Sequence, residues 1–519
     1  MGIISIREQS TQDDGFRAVV SFDGGQEYPI AVSDPFVEDQ ESNLGWYFEM
    51  HLRFPFTDQV NAANVASSIA TYGETLFNQV FADRQGFRRY GQALQQGLDS
   101  TRLEISGSHE FHSLHWEALK DPELPRPMAL SVPIIRKNLE PAPLNAVVRD
   151  SPAINLLIVT ARPGGRRDVA YRTVSGPLVG ALDNSQLRVN VDLLRPGTYQ
   201  ALQKQLEDVG VGHYHAIHFD VHGSLLTHDQ LQKVYEPNPV TMANPYGRNH
   251  IDEYDGQKGF VFLEDLENDH PDPVEAGQLG DLLINYQVPL VILNACQSGK
   301  QVSESESSLA SRLMQAGVQM VVGMGYSVTV SAVEVMMESF YAQLFDGHAA
   351  ADAIRRARLE MFNQKERRAY FNQRIDLEDW MLPVVYQNQD LQLTLREPTS
   401  QEQESYLIRD TQRHQAPTIS YGFVGRDLDV LEVERRLISD GNILLIRGMG
   451  GIGKSTLLHH LGNWWQRTGF VDRVFYYGYD DRAWTRQQII TDIAQGLMDA
   501  VEYTRFQSLA LDLQQAELV

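Results

Sequence analysis

Two segments place reactive side chains where an α/β sheet would hold them. Cys296, the single cysteine, lies in VILNACQSG, directly after an apolar run that reads as a buried strand. His222 lies in HFDVHG, directly after a second such run. In open α/β sheets, catalytic groups gather outside the carboxyl ends of the strands. Two such strands as neighbours bring His222 and Cys296 to one rim. A thiol is a strong nucleophile as thiolate, and a histidine within hydrogen-bond reach takes its proton. The backbone N–H groups of Gly223 and Cys296 are then placed to stabilise an oxyanion, with glycine letting a substrate approach closely. A free cysteine is more often a small buried hydrophobe. Here it ends its strand rather than filling the middle, and a His-Gly ends another, which favours the nucleophile.

A metal reading competes, because His213, His215, His218 and His222 crowd one segment. Side chains alternate faces along a strand. His213 and His215 then point one way, and His218, Asp220 and His222 the other, so four histidines do not converge on one tetrahedral ion. His218 reads as a supporting group beside the rim, and His213 and His215 as ordinary polar positions.

A third constellation is Gly448-Met-Gly-Gly-Ile-Gly453-Lys454-Ser455, which fits the phosphate-loop pattern between the apolar run ILLIR and the helical run STLLHHLGNWW. In that context the N–H groups of Gly448, Gly450, Gly451 and Gly453, with those of Ser455 and Thr456, cradle phosphates. Lys454 reaches the β/γ-phosphates and Ser455 ligates Mg²⁺. The expected cofactor is ATP or ADP with Mg. No apolar strand closing on an acidic pair follows Lys454 apart from a weak candidate, Asp480-Asp481. The NTPase therefore reads as incomplete, a piece of a longer chain, with nucleotide binding and negligible turnover expected.

The elements that must position these groups are legible as short apolar runs: Ile154 to Ala161, Leu187 to Leu194, Tyr214 to Val221, Pro289 to Ala295 and Val318 to Met324. Near-continuous Val/Ile/Leu runs mark parallel strands buried on both faces. Helices fit between them: Thr198 caps YQALQKQLE, Ser308 precedes LASRLMQA before Gly317, and others run over Ser331 to Phe345 and Ala349 to Phe362. The alternation predicts a doubly wound sheet. Upstream, Arg17 to Phe22 and Trp46 to Phe54 read as β-like, and Asn61 to Leu98 as helical.

The chain has 519 residues and a formal net charge of -24, from 68 acidic and 44 basic side chains. An acidic chain is repelled by phosphate backbones, and the pairs Arg166-Arg167 and Arg355-Arg356 are isolated, so nucleic acid is not an expected partner. One cysteine excludes an intrachain disulfide. The N-terminus lacks a charged stretch before an apolar core, Ile6 stands where myristoylation at Gly2 needs Ser or Thr, and no apolar run approaches roughly 18 residues. The chain reads as cytoplasmic, without a membrane partner.

HFDVHG followed by LVILNACQSG resembles the CHAT domain, a caspase-clan cysteine peptidase unit, and the likeness extends over roughly residues 100 to 390. FHSLHWEALKDP, VPIIRK, GFVFLEDLE, LASRLMQAGVQMVVGMGYSV, FYAQLFDG, AIRRAR and DWMLPVVY follow that family's order. The resemblance implies a caspase-like three-layer αβα sheet domain in which His222 is the general base and Cys296 the nucleophile of peptide-bond cleavage. Metacaspase-like relatives often hold an acidic residue two positions before the cysteine, where it binds a basic P1 side chain. Asn294 stands there, which leaves the P1 preference open. GMGGIGKST with FVGRD upstream resembles STAND-class NTPases, whose upstream Gly-Arg loop lies near the adenine and so points to Val424, Gly425 and Arg426. The bland reading of Gly425-Arg426 is a helix-entry turn.

The expected organisation is an N-terminal α+β segment (1–100), a peptidase domain (101–395), a polar linker (396–420) and a partial P-loop α/β NTPase domain (421–519). The expected function is a nucleotide-regulated cysteine endopeptidase acting on a polypeptide substrate. The resemblance implies a bacterial defence or regulated-death effector, with self-oligomerisation through the NTPase of a longer chain. The rival is a signalling ATPase scaffold whose CHAT unit binds partners without cleaving; the intact His222/Cys296 pair favours the enzyme.

Overall fold

A computed structural model describes the chain except residues 1, 13, 139–146, 165–170, 173, 185–186, 236–252, 266–269, 295–301, 327, 370–372, 416–422, 424, 440–442, 480–481 and 519. It divides into two compact units, residues 1–399 with 424–445, and residues 400–423 with 446–519.

The strands are β1 (Gly2–Gln12), β2 (Gly15–Phe22), β3 (Tyr28–Val32), β4 (Thr101–Ser106), β5 (Ile134–Lys137), β6 (Ile154–Thr160), β7 (Val189–Leu193) and β8 (Ala216–Asp220). They continue with β9 (His222–Leu226), β10 (Lys258–Asp265), β11 (His270–Glu275), β12 (Leu290–Asn294), β13 (Met320–Met324), β14 (Glu366–Arg368), β15 (Arg374–Asp376) and β16 (Pro383–Gln387). One 11-stranded sheet runs β3-β2-β1-β4-β5-β16-β13-β12-β8-β6-β7. Its half from β13 to β7 is parallel, as the buried apolar runs predict. β16 turns antiparallel to β13, and β2 and β3 close the far side antiparallel. The sheet is therefore mixed, and residues 2–32 supply three of its strands. Beside it stands a three-stranded sheet, β11-β10-β9.

In the first unit the helices are α1 (Glu38–Glu49), α2 (Gln59–Val80), α3 (Arg84–Gln96), α4 (His109–Ser113), α5 (Ser175–Asn184), α6 (Tyr199–Val209) and α7 (His228–Tyr235). Then come α8 (Ala276–Asn285), α9 (Val302–Ala316), α10 (Val330–Phe345) and α11 (Ala350–Asn363). Leu157, Val159, Ile217, Phe219, Val291 and Leu293 of the sheet join one core with Leu202 and Leu206 of α6, Leu279 and Leu283 of α8, and Leu309 and Leu313 of α9. The alternate residues Leu156, Ile158 and Ile292 point to the opposite face and are equally buried. That two-sided burial explains why these strands lack polar alternation.

Several local expectations shift. Thr198 caps α6 as its position predicts, its hydroxyl accepting from Ala201 N–H at 3.1 Å. Helix α9 begins at Val302, well before Ser308. Trp46 to Phe54 is not β: α1 carries Trp46 to Glu49, and His51–Arg53 form a 3-10 turn. Tertiary packing decides this, since Tyr47 and Phe48 are buried and Phe48 lies 5.2 Å from the Tyr326 ring. Asn61 to Leu98 is two helices, broken where Asp83 caps Gln85 and Gly86 N–H groups.

The second unit holds α12 (Ser400–Thr411); helix α13 (Asp427–Ser439) belongs to the first unit; α14 (Lys454–Arg467), α15 (Arg486–Leu497), α16 (Ala500–Gln507) and α17 (Leu511–Glu517) complete the second. α15 and α16 share a small core of Ile490, Ala494 and Phe506. ILLIR and RVFYYGYD (Arg473 to Asp480), whose compositions both read as strands, form no strand among the described residues, and Ile443 is 95% exposed. A strand gains its ladder only from a neighbour, and no neighbour pairs with either run there. Among the described residues no helix is long and apolar enough to cross a membrane.

Candidate functional site

β8 and β12 are adjacent and parallel, with Asp220 opposite Asn294. Val221 N–H bonds the Asn294 carbonyl at 3.1 Å, so the two strands stay paired to their carboxyl ends. One residue later the chain changes sheets: His222 opens β9 opposite Phe262 of β10, and Gly223 lies opposite Val261. His222 thus sits at the seam between the two sheets, half-buried, while Gly223 is buried. Cys296 follows Asn294 by two residues and lies outside the described residues.

The floor beneath the seam is charged and buried. Arg162, just past β6, and Asp220 are 2% and 4% exposed. Arg162 Nη2 donates to Asp220 Oδ2 at 2.5 Å, and Nη1 donates to the Asp220 carbonyl at 2.8 Å. The Arg162 backbone N–H donates to Glu264 Oε1 of β10 at 3.0 Å. These groups meet where β7 and β8 leave β6 on opposite sides, the switch point at which open sheets hold ligands. Gly197 packs tightly here, since a Cβ on it would meet the Thr160 carbonyl at 2.4 Å.

Sequence reasoning missed Arg162, Glu264 and the partners of Glu264. The only signal was a charge set into or just after an apolar strand, TAR at Arg162 and FLED at Glu264.

The other histidines do not join His222. His218 is 1% exposed within β8, neither ring nitrogen has a hydrogen-bond partner, and burial pushes its pKa down to about 4. It is a neutral core group rather than a support at the rim. His215 is not an ordinary polar position either: it is 2% exposed, and its Nδ1 accepts from Asn155 N–H at 3.1 Å. His213 is half-buried. Among the described residues no cluster of His, Cys, Asp or Glu could hold a metal ion.

A separate cavity is lined by His112, His115, Glu117, Arg136, Tyr326 and Tyr386 and includes none of the expected site residues. Glu117 is bidentate with Arg136, at 2.7 and 2.9 Å, and also meets Arg358 Nη2 at 3.2 Å.

In the second unit, α14 starts at Lys454, so the N–H groups of its first turn open toward the loop Gly448 to Gly453. Gly451 and Gly453 adopt φ of 77° and 91°, a left-handed region that favours glycine. Lys454 Nζ folds back onto the Gly448 and Met449 carbonyls at 3.0 and 2.9 Å. Ser455 and Thr456 sit in the same first turn. In the first unit, Gly425 also takes a left-handed φ, 73°, and Arg426 precedes α13 and pairs with Asp429 on it at 2.8 Å. That is the geometry of a helix-entry turn. Val424 and Asp480-Asp481 lie outside the described residues.

The CHAT domain family model matches residues 71–414. Among solved structures, two crystal structures of the Saccharomyces cerevisiae separase–securin complex are similar at 10% sequence identity, with TM-scores of 0.40 and 0.38. Each match covers 76% of this chain and 30% of the other, so the chain spans less than a third of those chains. No curated protein matches the chain.

Proposed function

From the premise that the chain belongs to the CHAT family, we propose that it is a caspase-clan cysteine endopeptidase in which His222 and Cys296 form the catalytic dyad. The observation that carries this reading is the register of β8 and β12. Asp220 and Asn294 are opposite each other, and His222 and Cys296 each follow by two residues. Two residues of extended chain reach at most about 7 Å, the span within which this reading needs the thiol.

In the proposed reaction His222 takes the Cys296 proton, and the thiolate attacks the carbonyl carbon of a peptide bond. The oxyanion is stabilised by the N–H groups of Gly223 and Cys296. The C–N bond then breaks as the imidazolium gives its proton to the leaving amine. Water, deprotonated by His222, attacks the thioester; the acid leaves and the thiol is restored.

The second part of the proposal is that a nucleotide regulates the peptidase. ATP or ADP fits the loop Gly448 to Gly453 because its glycines, the free N–H groups of α14 and the Lys454 ammonium converge there. Lys454 would release the two carbonyls to meet the phosphates, and Ser455 would hold Mg²⁺. A bound nucleotide would bring its phosphate charge to this loop and would take no part in the steps at the dyad.

The test is Cys296→Ala in a peptide-cleavage assay with a mixed-sequence fluorogenic library. Cleavage by the wild type and its loss in Cys296→Ala, with the thermal midpoint shifted by less than about 4 °C, supports the reading. Equal cleavage by both chains overturns it.

A further inference from the structure

Helix α13 lies in sequence between the peptidase-like segment and the phosphate loop, yet it packs with the first unit. Three of its side chains hold it there. Asp427 accepts from Arg172 Nε at 2.8 Å. Glu434, only 1% exposed, accepts from the Tyr171 hydroxyl at 2.9 Å and lies 3.0 Å from Arg195 Nε. Arg435 Nη2 donates to Glu264 Oε1 at 2.8 Å.

The Arg435 contact ends on an atom that matters to the rim. Glu264 Oε1 is the same oxygen that accepts from Arg162 N–H, and Arg162 in turn grips Asp220 through its side chain. Asp220 is two residues before His222. Glu264 is also two residues beyond Phe262, the β10 partner of His222. One carboxylate oxygen therefore ties the floor of the main sheet and the strand that pairs with His222 to a single guanidinium on α13.

A helix held only as packing would need apolar contacts. α13 has those in Val430, Leu431 and Val433, which are buried. Its charged side chains add partners in the segments that follow β6 and β7, at Tyr171, Arg172 and Arg195, and on β10 at Glu264. Burying Glu434 is costly unless it is paired, so this geometry is specified and not incidental.

We propose that Arg435 is a positioning residue for His222, acting through Glu264, Arg162 and Asp220, and that α13 is the strut that holds this chain of contacts. The proposal rests on the peptidase reading. It also gives the nucleotide a covalent route, because the chain runs directly from Ser439 at the end of α13 to Gly448 of the phosphate loop.

The experiment is iodoacetamide alkylation of the full chain across pH 5 to 9, read by intact mass, for the wild type, Arg435→Ala and Arg435→Lys. Cys296 is the single thiol, so every adduct reports one site. The side chain of Arg435 is 35% exposed, so its removal leaves the unit folded, which the thermal midpoint verifies. The expected result is an alkylation rate at pH 7 reduced at least about tenfold in Arg435→Ala, a pH profile displaced toward higher pH, and partial recovery in Arg435→Lys. A wild type that reacts faster than a free cysteine peptide at pH 6, with an unchanged profile in Arg435→Ala, overturns the strut and leaves the peptidase reading standing. A wild type that reacts as an ordinary thiol overturns both.

Discussion

Asp220 and Asn294 stand opposite each other on parallel strands, and the Val221 N–H reaches across to the Asn294 carbonyl at 3.1 Å. His222 and Cys296 have the same offset past this matched pair. If the imidazole is the base, His222→Ala should slow alkylation of Cys296 at pH 7 by at least about tenfold. Equal rates in the two chains would remove His222 from the dyad.

Lys454 supplies the one full positive charge of the phosphate loop. Lys454→Ala should weaken ATP binding, measured by equilibrium dialysis, by about tenfold or more. Alkylation of Cys296 without nucleotide should be unchanged. Undiminished binding would mean that the nucleotide, if it binds, sits elsewhere.

Glu117 answers two buried guanidinium groups, Arg136 and Arg358, whose side chains are 2% and 0% exposed. Glu117→Ala leaves both uncompensated and should destabilise the first unit by about 3 to 5 kcal/mol. Urea unfolding followed by tryptophan fluorescence reads this, since Trp116 is buried next to Glu117. A loss below about 1 kcal/mol would show that the arginines find other partners.

Much of the sheet was legible because strands β6, β8, β12 and β13 are nearly continuous apolar runs buried on both faces, whereas β7, at the sheet edge, alternates as VNVDL and is only partly buried. The charged floor was not. Arg162 and Glu264 are 102 residues apart, and no local pattern announces such a pair. The same holds for α13, whose amphipathic sequence reads as a helix but says nothing about which core it joins. ILLIR failed in the opposite sense: its composition suits a strand, but a strand also needs a neighbour.

Three buried histidines make stability depend on pH. Burial pushes His112 down to about 3, with Arg136 adding to the effect, and pushes His215 and His218 down to about 4. In the unfolded chain each titrates near about 6.5. Between about pH 6.5 and 4 the unfolded chain binds protons that the folded chain does not, so stability falls as pH falls through that window. His218→Leu removes one such site and should flatten the slope of the urea midpoint against pH there. An unchanged slope would mean that His218 is not held neutral.

The sheet ends at β3, a strand of five residues that carries Pro29, and proline cannot donate to a further ladder. Inside it, β4 is paired on both sides, by β1 and β5, and its Leu103 and Ile105 are fully buried. A chain cut before Thr101 would turn β4 into the border, with no proline and six residues of open N–H and C=O groups. Such a border is a template for the next strand that arrives, and the strands available are those of other copies. Residues 2–32 therefore act as a stop against end-on growth of the sheet, and trimming them would convert a bounded molecule into a seed for stacking.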